Sequence, residues 1–112
     1  MTIREMAERL NASVFADPEQ VDEDMNGAFG SDMMSDVLAF AENRDVLLTG
    51  LLNPQIVRTA HMQDMRCIVI VRGKNATDEI KRLAKENNIA LLETELTMYE
   101  SCGKLYEGGL GR

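Results

Sequence analysis

The chain has no tryptophan, two prolines, two cysteines and one histidine in 112 residues. Each scarcity closes a route. Cys67 and Cys102 lie far apart and outside any CxxC pair, so they spell neither a disulfide framework nor a zinc site. Two free thiols in a cytoplasmic protein are the expectation. No apolar run nears the roughly 20 residues that cross a bilayer, so no membrane partner is expected. The N-terminus, MTIREMAERL, is amphipathic and mixed in charge, unlike a secretory leader. Basic residues are scarce too. Residues 1–56 hold 3 basic and 11 acidic side chains, a net of −8; residues 57–112 hold 9 and 8, a net of +1. With no basic stripe to neutralise phosphates, nucleic acid is excluded as a partner. The acidic half reads as solvated surface.

What the chain does have is alternation of buried strands and one-sided helices. Its length suits one domain, 1–112, with one real core. Cys67 to Val71 is a continuous apolar run, the pattern of a strand covered on both faces. Thr77 then caps a helix whose first turn holds Asp78 and Glu79. Ile80, Leu83 and Ala84 recur at helical spacing, Asn87-Asn88 ends the helix, and Ile89 to Leu92 returns as a strand. Such a unit is a right-handed crossover in a parallel sheet.

The rest follows the same grammar. Residues 3–10 predict a helix with Ile3, Met6, Ala7 and Leu10 inward and Asn11 as its stop. Short strands are expected at 13–16 and 26–30. Ser31-Asp32 is expected to cap a helix to about Phe40, with Met33, Met34, Val37, Leu38 and Ala41 as its core face. Val46 to Thr49 is another buried strand. Asn53-Pro54 opens a helix with proline at its first position and Ile56, Val57, Ala60 and Met62 inward. A last helix spans 96–106, with a possible cap at Thr94 and with Leu96, Tyr99, Cys102 and Leu105 aligned. Its glycine-rich tail is expected to fray. The eight methionines read as core filler.

In parallel sheets, ligands bind beyond the carboxyl ends of the strands. Three loops should gather there: 50–53, 72–75 and 93–95. The second sets Arg72 and Lys74 around Gly73 just before a helix N-terminus, which suits a small anion such as a phosphate or carboxylate. The candidate ligand-binding residues are Thr49, Gly50, Asn53, Arg72, Gly73, Lys74, Asn75, Thr77 and Thr94. The plainer reading makes Gly73 a turn residue and lets Arg72 pair with Glu93 or Glu95 on the surface. A phosphate-binding P-loop is excluded, because Asn75 follows Lys74 and the upstream glycine is missing. The acidic loop 17–24 lacks the glycine and terminal glutamate of a calcium loop, so no metal is expected. No cofactor and no catalytic residue are assigned. His61, near a helix end, would serve catalysis only if a thiol lay beside it.

The order IREMAERLNASVF, SDMMSDVLAF, VLLTG, CIVIVRGK, EIKRLAKENNIALLET and a final tyrosine-bearing helix resembles the DRTGG domain family. That resemblance covers nearly the whole chain. The family's Asp-Arg falls near Leu52-Asn53 and its Thr-Gly-Gly on Val71-Arg72-Gly73, of which Gly73 matches. It implies a three-layer α/β/α sandwich around a mostly parallel sheet, similar to the N-terminal domains of HPr serine kinase/phosphatase and MurF. It also implies a homodimeric, non-enzymatic regulatory or assembly module that senses a small anionic or nucleotide ligand. Two alternatives stand beside it: an adaptor that offers its acidic face, 17–36, to a protein partner in a redox or hydrogenase system, and a small thiol-dependent enzyme using Cys67 or Cys102 with His61.

Overall fold

The computed structural model describes residues 1–111. Helix α1 (Ile3–Leu10) opens on a reciprocal cap, in which the Thr2 hydroxyl accepts from Glu5 N–H and the Glu5 carboxylate accepts from Thr2 N–H. Asn11 ends it in the left-handed conformation, φ 50°. There follow β1 (Ser13–Phe15), β2 (Ala28–Gly30), α2 (Met34–Phe40), β3 (Val46–Thr49), α3 (Gln55–Met62), β4 (Cys67–Ile70), α4 (Asp78–Glu86), β5 (Ala90–Glu93) and α5 (Met98–Glu107).

The sheet order is β1-β5-β4-β3-β2. Strands β2 to β5 are parallel, and β1 runs antiparallel to β5, with Val14 opposite Leu92. Because β2, β3, β4 and β5 advance across the sheet in chain order, the three right-handed crossovers put α2, α3 and α4 on one face. The packing agrees. Val37, Ile56, Val57 and Ile80 pack with Leu47, Ile68 and Ile70 on that face. On the other face Ile3, Met6 and Leu105 pack with Leu48, Cys67 and Val69. Alternate residues of β3 and β4 thus point to opposite layers, and every residue of both strands is buried. This is the expected α/β/α sandwich.

Several local expectations are corrected. Met33 caps α2 with its backbone alone, while Ser31 Oγ accepts from Met33 N–H and Asp32 turns elsewhere. Met33, Leu38 and Met62 were expected in the core but are exposed. Each sits beside the buried stripe of its helix, on a flank that no neighbour covers. Helix α3 starts at Gln55, one residue later than proline at its first position implies; Pro54 is its capping residue, and Asn53 Oδ1 accepts from Gln55 N–H. Helix α5 is capped by Thr97 with Glu100, not by Thr94. Tyr99 is 88% exposed. The glycine tail is pinned, since Leu110 is buried. Among the described residues no helix is long and apolar enough to cross a membrane.

Candidate functional site

Parallel register brings the ends of β2, β3, β4 and β5 to one rim, so the loops after Gly30, Thr49, Ile70 and Glu93 are neighbours. Three of the four were expected there from the sequence. The fourth, Ser31–Met33, brings Asp32. Its Oδ1 accepts from Gly50 N–H at 2.6 Å and from Thr49 Oγ1 at 3.1 Å. The second carboxylate oxygen faces Arg72 Nη2 at 3.8 Å. The Gly50 N–H bond holds the Asp32 carboxyl below the usual carboxylate range, partial burial opposes this, and Thr49, Arg72 and Lys74 add to the lowering. Lys74 Nζ reaches across to donate to Gly50 O at 2.7 Å.

At this rim, two donors and two cationic side chains thus gather around a carboxylate of the chain's own. Glycine at 50 lets the Arg72 guanidinium lie against the backbone; a Cβ there would push that side chain aside. Arg72 and Gly73 both take the left-handed conformation, φ 65° and 70°. Their N–H groups are tied back, Arg72 to Leu96 O and Gly73 to Thr94 O. That double turn sends the Arg72 side chain toward β3 rather than β5. The expected pairing of Arg72 with Glu93 or Glu95 is thereby replaced by Asp32, and Glu93 Oε2 instead accepts from Ala76 N–H at 2.6 Å.

The nine sequence-derived candidates divide accordingly. Thr49, Gly50, Arg72 and Lys74 converge around Asp32. Gly73 shapes the turn, with its N–H committed to Thr94 O. Asn53 and Thr77 spend their side chains on the starts of α3 and α4. Thr94 is buried, and its hydroxyl donates to Leu10 O, holding α1 to the sheet. Asn75 is exposed at the loop tip. Asp32 is the residue the sequence reading missed. A strand expected at 26–30 and followed by a helix already implied a fourth loop on this rim, and an acidic residue in it.

The thiols sit elsewhere. Cys67 points into the α1/α5 layer, whereas α3, which carries His61, packs on the opposite face. The sheet lies between them. Burial pushes the Cys67 thiol up to about 12, and burial raises Cys102 as well, so neither is poised as a thiolate. The acidic loop 17–24 is partly spent inside the chain: Asp22 pairs with Arg4 and Glu23 with Arg66.

Comparison with known proteins identifies the family. The DRTGG domain matches residues 5–107. The chain belongs to the DRTGG domain family. Among solved structures, this DRTGG chain is similar to the CBS and DRTGG domains of the regulatory region of Clostridium perfringens pyrophosphatase, complexed with the activator diadenosine tetraphosphate. The TM-score is 0.75 at 16% identity, over 93% of this chain and 45% of that one. The likeness is one of fold, and this DRTGG chain spans less than half of that regulatory region. No curated protein matches it.

Proposed function

We propose that the chain is a non-enzymatic regulatory or assembly module, one domain over 1–112, that senses a small anionic or nucleotide ligand at the C-terminal rim of its parallel strands. The carrying observation is Asp32: an oxyanion already accepts from Gly50 N–H and Thr49 Oγ1 beside Arg72 and Lys74. Donors that hold a carboxylate in this geometry hold a phosphate oxygen equally well. Asp32 and Arg72 are each about half exposed, at 49% and 47%, so an external anion has access. The ligand exchanges with the Asp32 carboxylate and frees the loop that carries it, a local change in α2 that a partner can read. A regulatory region of the same fold that is crystallised with a dinucleotide activator supports the nucleotide class. Homodimerisation belongs to this reading, and unpaired thiols suit a cytoplasmic setting.

The test is a titration with pyrophosphate, AMP, ATP and diadenosine tetraphosphate, followed by thermal melting and by amide chemical shifts of Gly50 and Asp32. The expected result is stabilisation by at least one of them, with shifts centred on Gly50, and its loss in Arg72→Ala plus Lys74→Ala. No shift with any of the four, or an unchanged shift in the double variant, removes the proposal.

A further inference from the structure

Between α5 and β2, on the face of the sheet opposite α2, α3 and α4, lies a cleft of about 520 Å³. That is the size of a small-molecule site. One wall is aromatic, made by Tyr99 and Tyr106 of α5. The facing wall is small, made by Ala28 and Gly30 of β2. An aromatic wall opposite a small-residue wall forms a slot that suits a flat molecule. Sulfur lines the end at Gly30, where a Cβ would lie 3.0 Å from Cys102 Sγ and 3.1 Å from Met98 Sδ. Thiol and thioether sulfurs pack well against ring edges.

Two residues of this lining are unexplained by the fold itself. Gly103 sits inside α5 between the two tyrosines, where glycine costs stability relative to alanine. Nothing in the fold calls for it: a Cβ there would meet no atom within 4 Å. What its missing side chain leaves is room in the cleft. Arg44 is the one charge on the lining among the described residues. It lies against Gly27, at the end of β2 away from Gly30. It is exposed, it pairs with no carboxylate among the described residues, and its Nη1 donates to Glu42 O at 3.0 Å. The remaining donors of its planar fork are left for an anion.

We propose that this cleft binds a small, flat, apolar acid. Its ring system lies over Gly103, between the tyrosines and the β2 wall, and its carboxylate sits on Arg44. A guanidinium holds a carboxylate through two parallel N–H bonds, which fixes the orientation of the ring. The chain carries a net charge of −7, so no long-range attraction brings an acid here and its selection falls on contact with Arg44. The cleft is closed at its base, where Gly111 packs on Gly27 and Ala28 N and Leu110 is buried. That closure blocks strand addition along β2 and favours a compact molecule over a segment of another chain. This site is separate from the rim at Asp32 and does not depend on it.

Tyr99 and Tyr106 are the chain's two tyrosines, so every tyrosine ring resonance reports on the cleft. The probe is 1-naphthoate, titrated into the chain beside 1-naphthalenemethanol, its neutral counterpart. Saturable shifts of both tyrosine rings are expected with the acid, and binding about tenfold weaker with the alcohol. Arg44→Gln should bring the acid down to the affinity of the alcohol. Gly103→Leu should weaken the acid tenfold or more while raising Tm by roughly 4 °C, a pairing that a purely structural glycine does not give. Tyrosine rings that ignore 1-naphthoate, or an unchanged affinity in Gly103→Leu, overturn the site. Equal affinity for acid and alcohol in the wild type overturns the ligand class. Tyrosine shifts that grow with chain concentration without the probe give the cleft to a second chain and overturn the proposal. Should Gly103→Leu misfold, Arg44→Gln decides together with alkylation of the half-buried Cys102, which 1-naphthoate should slow in the wild type and an unaffected rate would count against.

Discussion

Two arginines, one at each end of β4, face carboxylates, and they do so with very different commitment. Arg66, at the N-terminal rim, bridges Glu23 and Asp45 at 3.0 Å each and donates to Asp24 O at 2.6 Å. Asp45 in turn accepts from Asn26 N–H. Hydrogen bonding to Asp45 raises the Arg66 pKa, with burial opposing it. Arg72, at the C-terminal rim, has Asp32 at 3.8 Å, beyond hydrogen-bond range. The first arginine is a clamp that fixes the acidic loop to the sheet. The second is a latch, with a carboxylate near it that other donors hold more tightly. Similar residues at opposite ends of one strand thus differ in how firmly they are bound, and the proposed exchange belongs to the looser end.

The sharpest way to break the comparison is to remove each arginine. Arg66→Ala is expected to cost about 2 kcal/mol, because charge-assisted bonds to two carboxylates and a carbonyl are lost together. In a domain of this size that lowers Tm by roughly 10 °C. Arg66→Lys should recover only part of it, since an ammonium lacks the fork that spans two carboxylates. Arg72→Ala should change stability by no more than about 0.5 kcal/mol. Chemical denaturation of the three variants measures the contrast. Equal losses at 66 and 72 would mean that the rim at Arg72 is as structural as the other.

A smaller effect sharpens the latch. If an external anion must displace the Asp32 carboxylate, Asp32→Asn removes the competitor and one negative charge. Affinity for pyrophosphate should then rise about tenfold, equivalent to 1.4 kcal/mol. Calorimetric titration reads it directly. A fall in affinity would recast Asp32 as a group that helps hold the ligand.

The sequence made the core legible and the rim only half so. Cys67–Ile70 and Ala90–Glu93 announce themselves, because strands buried on both faces need unbroken apolar runs. Thr77 was readable as a cap because capping is local, reaching Ile80 N–H. Met33, Leu38, Met62 and Tyr99 were misplaced because helical spacing defines a stripe without saying which of its flanks lacks a neighbour. Thr94 was misread because its partner, Leu10 O, lies 84 positions away. Asp32 was missed for a related reason. The carboxylate and its donors, Gly50 N–H and Thr49 Oγ1, are joined only by sheet register, which pairs Gly30 with Leu48 and so sets the two loops side by side.

The smallest expected effect concerns pH, and it separates the latch from an ordinary surface carboxylate. The folded-state pKa of Asp32 is lowered, chiefly by the Gly50 N–H bond. Its contribution to stability is therefore fully present above the unfolded value of about 3.9 and is lost as pH falls through the lower folded value. The Tm gap between wild type and Asp32→Asn should stay level from neutral pH to about 5 and narrow below about 4. Over that same low range, protonation withdraws the competing anion from Gly50 N–H. Sulfate, which keeps its charge there, should bind wild type more tightly as pH drops, while Asp32→Asn shows the weaker dependence of a site that never held the carboxylate. A sulfate affinity that changes in parallel for both chains would place Asp32 outside the exchange and return the rim to a fixed turn.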